Sequence, residues 1–211
     1  HKSEVLNTLP VFTLKGWGLN NAVASLKRPF YKNAEKEIEI TGAVGAKIPF
    51  SKKPLVIDGV QLPQTVHPST GAYGGVAQVF FYKGYSKQRI RLFLLHRFET
   101  NLTNAIEYQF GNSYVTSFFF SKSVNYRWTG ILQIRNENRA RDRKSGEIID
   151  VSGGYLIFIS PQINYNIAQK WNLSILSDFP IYRFYNGIQM GNKFAIGVAL
   201  VRDFDFSRKE K

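Results

Sequence analysis

Residues 152–187, SGGYLIFISPQINYNIAQKWNLSILSDFPIYRFYNG, alternate between apolar and polar side chains over almost their whole length. In the first half the apolar positions are Tyr155, Ile157, Ile159, Pro161, Ile163, Tyr165 and Ile167, and the polar positions between them are Ser160, Gln162, Asn164 and Asn166. A period of two is that of a β-strand with one apolar and one polar face. The stretch therefore predicts two long strands joined by a short turn at IAQK.

The same period recurs along the chain, in segments 38–50, 106–110, 126–135, 171–181 and 194–204. No segment of helical length shows a comparable 3.6-residue period. We count about nine or ten strands, several of them longer than the usual five or six residues. The prediction is an all-β antiparallel fold in a single domain, 1–211, with 1–15 as an N-terminal extension or partial strand and 207–211 as a tail.

The connections between these strands are of two kinds. Most are short and polar, such as YKNAEK and KGYSKQ, whereas 51–75 and 138–154 are long. Tight turns on one side and long loops on the other are typical of transmembrane barrels. We therefore predict an antiparallel up-and-down transmembrane β-barrel of about 8–12 strands. A soluble sandwich or a soluble β-barrel that binds an apolar ligand also alternates, and stays open as an alternative.

Composition narrows the classes of function. The 211 residues carry a formal net charge of +13, three histidines and no cysteine. The charge favours anionic partners, but the basic residues are scattered along apolar stripes, which argues against a nucleic-acid platform. No apolar run approaches the ~20 residues of a membrane-spanning helix, and we expect any export signal to have been removed. Catalytic and nucleotide-binding motifs are absent, and His96 by itself does not define a site, so we predict no enzyme activity, no metal and no cofactor.

Five segments carry a resemblance to a known family: GWGLNNAVASLKRPF, EIEITGAVGAKIPFS, HPSTGAYGGVAQVFF, GGYLIFISPQINYNI and FPIYRFYNGIQM. Together they span about residues 16–206, and their order resembles outer-membrane β-barrel proteins of the transporter-like or phenol-degradation (MetA-pathway) type, common in Bacteroidota and Proteobacteria. Asn20 and Asn21 stand where that family often has Gly-Asp, and the chain continues past Phe206. The resemblance implies a porin-like barrel in the outer membrane of a Gram-negative bacterium, but no particular substrate.

The polar face of each strand supplies the candidate lumen. The predicted pore-lining or rim residues are Lys47, Arg89, Arg91, Arg135, Glu137, Arg139, Gln162, Asn164 and Asp178. The predicted interfacial aromatic residues are Tyr126, Trp128, Tyr155, Tyr165 and Trp171. An excess of arginine and lysine biases a pore toward anions, although charges inside small barrels also pair with one another as filling. About ten strands leave only a narrow lumen.

These observations predict a narrow channel or uptake pore for small solutes, with anions favoured. The alternative is a non-transporting membrane barrel that acts as a structural or interaction component of an envelope complex. The expected partners are outer-membrane lipid, lipopolysaccharide and envelope proteins, with no nucleic acid.

Overall fold

The computed structural model describes residues 18–52, 54, 56–57, 60–61, 64, 67–168, 170–187, 189, 191 and 193–202. The segments predicted as an N-terminal extension (1–15) and a tail (207–211) lie outside the described residues.

Nine long strands form one antiparallel sheet. They are β1 (Asn21–Asn33), β2 (Ile38–Pro49), β5 (Gly74–Tyr85), β6 (Ile90–Asn101), β8 (Ser113–Ser123), β9 (Trp128–Arg139), β12 (Gly154–Ala168), β13 (Trp171–Tyr185) and β14 (Ala195–Arg202). The order in the sheet follows the order in the chain, so the topology is an up-and-down meander. The predictions of an all-β antiparallel fold and of unusually long strands are confirmed.

Short and long connections lie at opposite ends of the sheet. At the turn end, tight connections follow Asn33, Tyr85, Ser123 and Ala168, and one of them holds the 3₁₀ helix Ser86–Gln88. At the other end, the loop end, the connections 50–73, 102–112, 140–153 and 186–194 are longer. The sequence predicted the first and third of these long loops.

Small ladders stiffen the loops. They are β3 (Val56–Ile57) with β4 (Val60–Gln61), and β10 (Arg143–Lys144) between β7 (Tyr108–Gln109) and β11 (Glu147–Ile148). The alternation at 106–110 predicted a strand, and the structure has one there only at Tyr108–Gln109, in this small ladder and not in the nine-stranded sheet. The side-chain oxygen of Asn104 accepts hydrogen bonds from the backbone N–H groups of Ile106 (3.1 Å) and Tyr108 (2.9 Å), which turns the chain into the loop.

The sheet has two faces of opposite chemistry. Because paired residues share a face, the register places Lys47, Glu99, Arg135 and Asp178 on one side, which we call the inner face. The opposite side, the outer face, carries the apolar stripes. Its side chains are exposed: Leu26 by 82%, Val44 by 65% and Val198 by 69%.

Burial is accordingly inverted relative to a soluble protein. Among the described residues, the only buried hydrophobic side chains are Ala43, Ala72 and Val76. Nine polar or charged side chains are buried: Thr41, Lys47, Gln64, Ser69, Asn101, Ser117, Ser121, Asp142 and Ser160. The sheet therefore has no large apolar core on either side.

The predicted closure into a barrel is not shown. β1 and β14 are the two edges of the sheet, and no pairing within the described residues joins them. Contacts on the inner face nevertheless reach across an intervening strand. Lys47 on β2 meets Glu99 on β6 over β5, and Arg135 on β9 meets Asp178 on β13 over β12.

Candidate functional site

The inner face gathers most of the residues predicted to line a pore. Those that lie on it within strands are Lys47, Arg91, Arg135, Glu137, Arg139, Gln162, Asn164 and Asp178. Arg89 lies instead in the tight turn after the 3₁₀ helix, with φ of 54°, and its guanidinium donates to the Val124 carbonyl at 3.4 Å. Arg89 is thus at the turn-end rim.

A first charged cluster lies near the loop end of β2 and β6. The Lys47 side chain is 5% exposed and its ammonium contacts the Glu99 carboxylate, whose second oxygen accepts from Arg97 Nη2 at 2.9 Å. A Cβ at Gly74, the residue that β5 places between them, would lie 3.2 Å from Lys47 Cε and 2.3 Å from the Thr100 carbonyl oxygen. Glycine at position 74 therefore leaves room for the lysine to cross the strand.

A second cluster joins β9, β12 and β13. Arg135 Nη2 donates to Asp178 Oδ2 at 2.7 Å, and Asp178 also accepts from the Ser160 hydroxyl. Arg135 Nε is 2.6 Å from Glu137 Oε1, close enough for an ion pair although not aligned as a hydrogen bond. One guanidinium thus pairs with two carboxylates on the inner face, and the three groups together carry a net charge of −1.

The third cluster ties the inner face to the loops. Asp142, 5% exposed at its side chain, is contacted by Arg139 Nη2 at 2.8 Å and 2.9 Å. Asp142 also accepts from the Tyr108 hydroxyl at 2.5 Å and from the Gly111 N–H at 2.8 Å. Burial raises the pKa of Tyr108, and the hydrogen bond and negative charge of Asp142 raise it further.

Hydrogen bonds run from loop to loop around the loop end. Asn104 donates to the Thr70 carbonyl at 3.1 Å, Tyr108 bonds Asp142, and Asn186 donates to the Ser152 carbonyl at 3.0 Å. The four long connections are therefore linked in sequence. A polar cavity of about 440 Å³ lies beneath them, with Arg135, Arg139 and Asp178 in its wall.

The inner face carries more basic than acidic strand residues, but much of its positive charge is paired. Its basic residues are Lys27, Lys32, Lys47, Arg91, Arg97, Arg135, Arg139 and Arg183, and its acidic residues are Glu39, Glu99, Glu137 and Asp178. Four of the eight cations, Lys47, Arg97, Arg135 and Arg139, are in ion pairs. The number of basic residues alone therefore overstates the positive electrostatic potential along the inner face.

Sequence reasoning missed Arg97, Glu99 and Asp142. The first two carried a usable signal, since they stand an even number of residues from Arg91, which was assigned to the polar face. Asp142 carried none, because its partners come from a different loop.

The predicted aromatic residues lie at both ends of the outer face. At the loop end, Tyr155 packs against Tyr182, with ring centroids 5.8 Å apart, and Phe98 packs against Tyr114 at 4.9 Å. At the turn end, Trp128 packs against Tyr165 at 4.4 Å, Trp171 begins β13, and Tyr126 is exposed in a turn.

The distance between the two aromatic groups follows from β12. Tyr155 and Tyr165 are ten residues apart on one strand, or about 33 Å at ~3.3 Å per residue. A strand tilted by ~40° covers about 25 Å of height over that length, which is the height of the apolar band of a membrane barrel.

His96 lies on the outer face, where its Nδ1 is 2.8 Å from Thr116 Oγ1. No group of three potential metal-ligating residues occurs in the part of the chain that the structure describes. That part also contains no helix long and apolar enough to cross a membrane. Compared with models of known protein families and with the curated proteins, the chain matches none, so the resemblance to an outer-membrane family stays a prediction.

Proposed function

We propose that the sheet closes into a β-barrel in an outer membrane and that its inner face lines a narrow channel for small solutes. The observation that carries the proposal is the inversion of the two faces: apolar side chains are exposed on the outer face, and ion pairs and hydroxyl groups lie on the inner one. Water is a poor solvent for such an outer face, and lipid is a good one.

The amount of exposed apolar surface determines the free energy that the outer face would gain on transfer from water to lipid. The outer-face side chains that are at least one-third exposed include these twelve: Leu26, Val44, Ile48, Val79, Leu94, Phe118, Leu132, Ile134, Ile163, Ile175, Val198 and Leu200. Removing one such side chain fully from water is worth about 1.5–3 kcal/mol. With each about half exposed, transfer of the set to hydrocarbon is worth roughly 10 kcal/mol, comparable to the whole stability of a typical domain.

The two ends of the sheet support an orientation. Tight turns face the periplasm and long loops face outward in barrels of this class, which would place the linked loops and the polar cavity at the outer surface. A solute would then meet Arg139 and Arg135 before the rest of the lumen.

Selectivity for anions would depend on the cations that are not neutralised. Arg91 is on the inner face near the turn end and is in no salt bridge of the described residues. Arg135 is paired with two carboxylates, so its loss would change the net charge of the group from −1 to −2.

The test is conductance of the purified protein in a planar bilayer under a salt gradient. We expect a small steady conductance whose preference for anions falls in Arg91→Gln and reverses toward cations in Arg135→Gln. Lys122→Gln is the matched control, because Lys122 pairs with Ile90 on the outer face at the same end of the sheet.

Two other outcomes would overturn parts of the proposal. A protein that inserts and resists denaturation by heat but conducts nothing is a non-transporting barrel, for which the linked loops would be the interaction surface. A protein that stays monomeric in buffer without detergent contradicts membrane insertion.

A further inference from the structure

One region of the inner face is a cluster of large apolar side chains. Its side chains come from β5, β6, β8 and β9: Phe80, Tyr82, Phe93, Leu95, Phe119 and Ile131. The register pairs Phe80 with Leu95, Tyr82 with Phe93, and Phe93 with Phe119. These residues form one continuous patch, and a cavity of about 480 Å³ lies against it.

Packing of these side chains against one another, as a filling of the barrel interior, does not account for the patch. Phe93 is still 39% exposed, although the ring of Tyr82 packs against it, with centroids 5.1 Å apart. Phe158, an aromatic residue elsewhere on this face, is by contrast contacted by the Arg135 guanidinium, 4.5 Å from its ring centroid. An apolar concavity in a wet lumen is a binding surface for an apolar molecule.

Cations border the patch. Lys27 lines the same cavity, with its Nζ 4.6 Å from the centroid of the Phe80 ring. Arg97 and Arg91 lie on the inner face of β6, each two residues from the patch, toward the loop end and the turn end respectively. Lys27 is in no salt bridge of the described residues.

The cavity also has one acidic wall residue, Glu39. Its carboxylate accepts a hydrogen bond from Thr41 Oγ1 at 2.9 Å, and it is paired in register with Lys32. Two cations, Lys27 and Lys32, therefore flank one carboxylate on this part of the inner face, and the local balance of charge is positive.

We propose that this cavity binds a hydrophobic monoanion: a molecule with an apolar body of one or two rings, or a similar aliphatic body, that carries a single acidic group. The apolar body of the ligand lies on the apolar patch, and its acidic group pairs with Lys27. The inference rests on the proposed function, because the inner face must line a lumen for the cavity to be reached, and it names the class of solute that this lumen holds.

Three probes separate the contributions of charge and of apolar contact. 1-Naphthoate has both the ring body and the charge, 1-naphthylmethanol has the body alone, and acetate has the charge alone. Binding is measured by equilibrium dialysis against protein in lipid nanodiscs, and empty nanodiscs give the partition into lipid. We expect naphthoate to bind at least tenfold more tightly than acetate and several-fold more tightly than naphthylmethanol.

Neighbouring phenylalanines provide matched variants. Phe119 is on the inner face and Phe118, the preceding residue, is on the outer face. Phe119→Ser should weaken naphthoate binding about tenfold or more, the loss expected when roughly 1.5 kcal/mol of apolar contact is removed. Phe118→Ser should leave the affinity unchanged. Lys27→Gln should weaken naphthoate about fivefold and leave naphthylmethanol unaffected.

Equal losses in Phe118→Ser and Phe119→Ser, or naphthoate binding no tighter than naphthylmethanol, would overturn the assignment. Insertion into nanodiscs and resistance to heat are recorded for every sample. Protein that inserts and binds no probe contradicts the ligand class alone, whereas protein that does not insert contradicts the membrane function on which the assignment rests.

Discussion

Substituting a single charged residue on the outer face tests whether that face is in contact with lipid or with water. Leu132 lies on the outer face of β9, 39% exposed, between Phe120 of β8 and Pro161 of β12. It is four residues from Trp128, the aromatic residue at the turn end of the strand. Four residues of a strand tilted by ~40° rise about 10 Å, so Leu132 would lie close to the middle of a ~25 Å apolar band.

Leu132→Arg should therefore lower the free energy of unfolding by about 2–4 kcal/mol, the penalty for arginine at the midplane of a bilayer. In water the same change at an exposed position would alter stability by no more than about 0.5 kcal/mol. The measurement is urea unfolding in phospholipid vesicles, followed by tryptophan fluorescence, with the slope against urea checked for each variant.

The adjacent residue provides the control. Gln133 is on the inner face, and its amide donates to the Ser117 hydroxyl at 3.2 Å. Gln133→Arg loses that bond and adds a charge two residues from Arg135, at a cost of about 1 kcal/mol. Equal losses of unfolding free energy in Leu132→Arg and Gln133→Arg, or a Leu132→Arg variant as stable as the wild type, would refute the assignment of the outer face to lipid.

The ion pairs and loop contacts give three further predictions. Lys47→Met should destabilise the fold by about 3 kcal/mol because it leaves Glu99 with Arg97 alone, and adding Glu99→Leu should restore part of the loss in the same urea assay. Asp142→Asn should speed amide hydrogen exchange in residues 108–111 at least tenfold, with exchange in the strands unchanged, since Asp142 accepts hydrogen bonds from Tyr108 and Gly111 there. An unchanged rate at Gly111 would contradict this role. The pKa of Tyr108 is raised above its ordinary value of 10.0, so the stability that its hydroxyl contributes is complete below pH 10 and is lost as the pH rises further. The difference in melting temperature between wild type and Tyr108→Phe should therefore shrink above pH 10. A difference that grows with pH would contradict the prediction.

The strands and their faces could be predicted from the sequence because both depend on a period of two. Once Ile157, Ile159 and Ile163 are assigned to one face, Ser160, Gln162 and Asn164 must lie on the other. The same rule assigned Lys47, Arg135 and Asp178 to polar faces, and the register puts all three on the inner face.

The pairing of the charges could not be predicted in this way. Which carboxylate meets Arg135 depends on the stagger of β9 against β12 and β13, including the register shift between Ile157 and Phe158. A change of two residues in that stagger would keep every side chain on its face and would change every partner. The apolar patch around Phe119 was hidden for a related reason: in YVTSFFFSK the alternation is interrupted, and only the partners on β6 show that Phe119 continues an apolar cluster rather than breaking a polar face.

Insertion of this sheet into a membrane requires that its two edge strands be paired. The outward edges of β1 and β14 present backbone N–H and C=O groups that neither strand uses within the sheet. In water these groups are hydrated at little cost, but in hydrocarbon each unpaired group costs several kcal/mol. Half of the groups on the 13 residues of β1 and the eight of β14 point away from their neighbours, so an open sheet in lipid would lose far more free energy than the roughly 10 kcal/mol gained by its apolar face. An outer face exposed to lipid therefore requires that both edges be paired, with each other or with a further strand.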